Sequence, residues 1–139
     1  MHIKITSVAI DKDTITVGFR TRFGAARGIW KDTSPPAVGA SFAVELDIDE
    51  ELAWGDTITA SALECARVDS GGDHPFIGNG LLESIDDDGF TVIRFEHNIV
   101  ICFTAGIPGE FIGRWVVISA ACPGIYPDHG MPVRDLDEE

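Results

Sequence analysis

Apolar residues in this chain recur at every second position far more often than at helical spacing. Ile3 and Ile5 share one side of a first segment, Asp11-Lys12-Asp13 turns the chain, and Ile15, Val17 and Phe19 repeat the period of two. That pattern predicts two strands joined by a turn. Thr14, Thr16 and Gly18 lie between the apolar positions, and Arg20 and Arg22 extend the polar face outward. Gly24, Gly28, Ile29, Trp30 and Lys31 read as an irregular extension, closed by Asp32-Thr33-Ser34-Pro35-Pro36, whose prolines end the pairing. The clearest half-buried strand follows: Phe42, Val44, Leu46 and Ile48 alternate with Ala43, Glu45, Asp47 and Asp49. Its acidic face is expected to oppose Arg20 and Arg22. Asp49-Glu50-Glu51 with Leu52, Ala53 and Trp54 predicts one short helical turn, stopped by Gly55-Asp56.

Thr57 to Val68 reads as a distorted strand of uncertain register, and Asp69 to Pro75 as a flexible loop. Beyond it, Phe76 to Ile85 is a strand bent at Gly78 and Gly80. Asp86-Asp87-Asp88-Gly89 joins it to Phe90–Phe95, and Glu96-His97-Asn98 joins that to Ile99–Phe103. These three make a meander. A last strong strand spans Ile112 to Ala120, and order is expected to fail beyond Pro123. Short strands, regular turn signals and no long helical period predict an all-β fold, either a compact antiparallel barrel or a two-sheet sandwich. Closure, which protects sheet edges, favours the barrel.

Composition narrows the picture. With 139 residues, 45% of them hydrophobic and 24% charged, the chain is long enough for one cored domain. We place that domain at 1–127, with an acidic, fraying tail at 128–139. Asp and Glu number 23 against 10 Lys and Arg, for a net charge of -13. Such a field opposes phosphate binding, so no direct contact with nucleic acid is expected, and it favours a cationic partner. The charge is segregated: residues 1–31 carry six basic and two acidic groups, and residues 32–139 carry four basic and 21 acidic ones. No apolar run reaches membrane-spanning length. Three widely spaced cysteines and the lack of secretory-signal features at the N-terminus fit a reducing, cytoplasmic setting.

Candidate chemistry is sparse. Glu45, Asp47 and Asp49 share one strand face and suit either a hard cation or the Lys and Arg side chains of a partner. Glu50, Glu51 and Asp56 broaden the acidic area, and Trp54 adds an aromatic anchor beside it. The spacing is not that of a dedicated metal loop. Asp86-Asp87-Asp88-Gly89 is explained as a turn, with Gly89 at positive φ. Asp73-His74 and Glu96-His97 are the best acid–histidine pairs, but neither belongs to a complete catalytic constellation. Cys102 is expected in the core, and Cys65 and Cys122 nearer the surface. Trp115 is assigned to the barrel interior, and Trp30 to an open end near the diproline loop.

The segments Val44-Glu45-Leu46-Asp47-Ile48-Asp49-Glu50-Glu51-Leu52-Ala53-Trp54-Gly55 and Leu81-Leu82-Glu83-Ser84-Ile85-Asp86-Asp87-Asp88-Gly89-Phe90, with the strand Gly113-Arg114-Trp115-Val116, resemble the small β-rich immunity-like proteins of bacterial toxin systems. The similarity covers most of residues 41–127. It implies inhibition by masking a basic toxin or similar protein, without catalysis and without a cofactor. The matching motifs describe packing and turns, so the resemblance carries no residue-specific pocket. The residues themselves nominate Glu45, Asp47, Asp49, Glu50, Glu51, Trp54 and Asp56 as the partner-binding set. A structural or assembly module and a small-ligand binder are the alternatives.

Overall fold

A computed structural model of the chain describes residues 1–71, 74–121 and 123–128. Among them the backbone forms β1 (His2–Asp11), β2 (Thr14–Thr21), β3 (Gly24–Trp30), β4 (Ser41–Ala53), β5 (Ile58–Ala60), β6 (Arg67–Gly71), β7 (His74–Ile85), β8 (Phe90–Phe95), β9 (Asn98–Ala105), β10 (Trp115–Ala120) and β11 (Pro123–Pro127), with a single 3₁₀ turn at Gly109–Phe111. The fold is all-β. Pairing runs β1–β2–β3–β6–β7–β8–β9–β4 and returns from β4 to β1, closing a barrel of eight strands. Outside the ring, β10 lies along β7 with β5 beyond it, and β11 pairs with both β3 and β4. Most ladders are antiparallel; β3–β6, β3–β11 and β4–β9 are parallel.

The interior follows the period-two pattern. Ile3, Ile5, Val17, Phe19, Val44, Leu46, Ile48, Leu52, Phe76, Leu82, Ile93 and Phe95 are buried in one continuous core. The predicted meander is β7–β8–β9. Gly78 and Gly80 in β7 leave room for it: a Cβ on Gly78 would lie 2.8 Å from the Phe76 ring and 2.9 Å from that of Phe95. At Asp86–Gly89 the Asp86 carboxylate accepts the backbone N–H groups of Asp88 and Phe90, each at 2.9 Å, and Gly89 has φ of +86°. The turn reading of this acidic run holds.

Several expectations change. Residues 24–30 form a regular strand, because Ala26 and Gly28 occupy inward positions whose small size hides the alternation. The acidic segment 49–53 stays extended within β4 instead of making a helical turn, since β9 pairs with it as far as Ala53. Much of the loop expected at 69–75 is strand, with Gly71 paired to His74. Residues 123–127 are ordered as β11, hydrogen-bonded on both edges. Asp128 donates its N–H to the Ala43 carbonyl at 2.8 Å. The remainder of the expected tail lies outside the described residues, as does Cys122.

Trp30 is buried against Phe42, with ring centroids 4.9 Å apart, and its indole N–H donates to the Ser34 carbonyl beside the diproline loop. Trp115, expected inside, is half-buried; Val116, Ile118 and Ala120 take the inward positions of β10.

Candidate protein-binding face

The long strand β4 sorts its side chains by parity. Val44, Leu46, Ile48 and Leu52 enter the core, while Glu45, Asp49 and Glu51 are exposed on the outer face and Asp47 is half-buried among them. Two additional β4 residues are accommodated between the Asp47–Ile101 and Glu51–Phe103 pairs, so the irregularity preserves the face. Four of the nominated carboxylates therefore line one outer row.

What lies beside that row was not anticipated. On β9 the inward residues are Val100, Cys102 and Thr104, which leaves Ile99, Ile101 and Phe103 on the outside. On β8, Phe90 and Val92 are likewise outward and pair across to Phe103 and Ile101. Ile99 is 40% exposed and Phe103 48%. Phe103 meets Phe90 edge to face, with ring centroids 5.7 Å apart. The β8–β9 hairpin is thus apolar on both faces, and alternation within each strand, viewed alone, does not flag the outer one. At its far end Arg94 donates to Glu83 Oε1 through Nε and Nη2, at 2.9 and 2.6 Å.

Acidic and apolar surfaces meet in a shallow recess of about 200 Å³, lined by Asp47, Asp49, Phe90, Ile101 and Phe103 above Ile48 and Cys102. Asp47 Oδ1 is shielded from solvent without a hydrogen-bond partner among the described residues. Burial first, then the charges of Glu45 and Asp49, raise the Asp47 carboxyl above the usual aspartate range. Lys31 Nζ approaches Asp49 Oδ2 at 4.0 Å. Of the two arginines expected to oppose the acidic face, Arg22 instead pairs with Glu96 at 3.4 Å.

The other nominated residues separate from this row. Glu50 turns away and accepts the Ala121 backbone N–H on Oε1, tying β4 to the β10–β11 connection. Trp54 packs against the core and the Phe111 ring, with centroids 4.6 Å apart. Asp56 is exposed in the turn beyond β4. The candidate face therefore comprises Glu45, Asp47, Asp49 and Glu51, with Phe103 and Ile101 as the apolar residues beside it.

Other candidate chemistry disperses. His74 and His97 are exposed, and Asp73 lies outside the described residues. Cys65 is exposed, whereas Cys102 is buried with its thiol pushed up to about 12 by desolvation, so it stays protonated near neutrality. Among the described residues no three His, Cys, Asp or Glu side chains are grouped so as to hold a metal ion, and no helix is long and apolar enough to cross a membrane. Compared with protein families, curated proteins and solved structures, the chain matches none.

Proposed function

We propose that the chain is a non-enzymatic binding protein that masks a basic partner, in the manner of the immunity-like proteins it resembles. The observation that carries this reading is the row of Glu45, Asp47, Asp49 and Glu51 on one outer strand face, directly beside exposed Phe103 and Ile99. Carboxylates of one sign along a rigid strand steer and orient a cationic surface, and adjoining apolar area supplies affinity that survives desolvation. Charge alone gives fast encounter and fast release. Both ingredients are present within one patch.

The test is to purify the chain from native extract, identify any protein that accompanies it in stoichiometric amount, and reconstitute the pair from pure components. We expect a basic protein whose affinity falls about tenfold or more when Asp47 is replaced by Asn or Phe103 by Ser. Association should slow as salt rises, since exposed charges are screened over roughly 10 Å at 0.1 M. Unchanged affinity in both variants would sink the proposed face.

A further inference from the structure

Within that face, the recess at the β4–β9 seam has a chemistry of its own. Its acidic side offers half-buried Asp47 and exposed Asp49. Its other side is half-buried Ile101 and Phe90 with the Phe103 ring, which the barrel leaves exposed. A carboxylate opposite an aromatic wall does not suit a metal ion, which needs several oxygens around it. It also does not suit a purely apolar plug, which would strip water from Asp47 and return nothing.

We propose that this recess receives the side chain of an arginine from the partner, its guanidinium between Asp47 and Asp49 and its stem and planar face against Ile101, Phe103 and Phe90. The assignment rests on the masking reading and specifies what is masked. Charge complementarity fixes the sign of the occupant, and the apolar wall fixes its shape. Guanidinium is planar, stacks on aromatic faces and is more weakly hydrated than ammonium, so it loses less on entering a half-covered site. Its several donors also match carboxylates lying side by side on one strand, where ammonium acts as a point charge. Lys31 Nζ, 4.0 Å from Asp49 Oδ2, already sets a cation beside this row.

Butylguanidinium chloride is a direct probe, titrated into the ¹⁵N-labelled full chain at constant ionic strength, with butylammonium, guanidinium and butyrate as comparators. We expect saturable shifts of the Asp47, Asp49, Ile101 and Phe103 amides with butylguanidinium, tighter than with either other cation, and none with butyrate. Asp47→Asn and Phe103→Ser should each weaken the probe about fivefold, the spectrum itself reporting that the fold is kept. Equal, unsaturating shifts with all three cations would overturn the proposal, as would binding that survives Asp47→Asn. Concentration-dependent shifts of the same amides without any probe would overturn it in favour of a second copy of the chain on this face. Should the probe be refused while a purified basic partner still loses affinity with Glu45→Gln, the arginine site falls and the masking reading stands. Should the probe bind while that partner ignores every substitution on β4, the masking reading falls.

Discussion

Asp47 is a costly residue for this barrel. Its carboxyl titrates above the ordinary aspartate range, through burial and through the charges of Glu45 and Asp49, so the ionised form is less comfortable in the folded than in the unfolded chain. A folded-state shift upward means that stability is greatest when the group is protonated in both states and declines as pH rises through the folded value. Asp47→Asn removes that burden. We expect the variant to melt at a higher temperature than the parent at pH 7, with the difference vanishing at about pH 3, where aspartate is protonated folded or unfolded. Thermal melts across that range decide the matter; a lower melting temperature at pH 7 would show that Asp47 has found a compensating partner. A residue that burdens the fold in this way is consistent with the binding role proposed for Asp47.

At the level of strands, ring closure depends on one narrow pairing. Gly24 at the start of β3 faces Val68 of β6, and a Cβ on Gly24 would fall 1.7 Å from the Val68 carbonyl oxygen. Its φ of +137° is also one that other residues rarely adopt. Gly24→Ala should cost about 2–5 kcal/mol in urea unfolding, combining backbone strain with the forced separation of the strands. A cost under about 1 kcal/mol would mean that β6 is not a working part of the wall. Such junctions explain which elements were legible in the sequence. Strands β2 and β4 could be read from alternation because each carries large apolar residues on one face, and β8 and β9 from apolar runs bounded by turn signals. By contrast, β3 and β11 are built from small or cyclic residues, Ala26, Gly28, Pro123 and Gly124, and only their partners make them strands. A Cβ on Gly28 would come 2.7 Å from the Pro123 carbonyl oxygen, so the two glycine-bearing segments fit because neither is bulky. The acidic half of the candidate site was visible for the same reason that β4 was. Its apolar half was not, because strand parity does not reveal which residues of β9 will stand next to β4.

Taken as a whole, the molecule holds distant parts of the chain together through its last described strand. Pro123 to Pro127 pairs with Ile48 to Val44 on one edge, while Gly124 and Ile125 pair with Ile29 and Trp30 on the other. Without β11, those β3 and β4 edges lose their hydrogen bonds, buried Ile125 leaves the core and Asp47 loses its neighbour Gly124. A chain stopped after Ala121 should therefore melt without a sharp transition, whereas one stopped after Asp128 retains every described strand and should match the parent. Circular dichroism melts of the two would separate them; a cooperative, unshifted transition in the shorter chain would refute the role given to β11. The same arrangement bears on how the protein is made. Because β11 is translated after the strands it joins, the nascent barrel exposes the β3 and β4 edges to neighbouring chains until residue 127 has emerged. The acidic row acquires its flanking strand only at that stage, so the partner capture proposed for it would have to wait for β11 to dock.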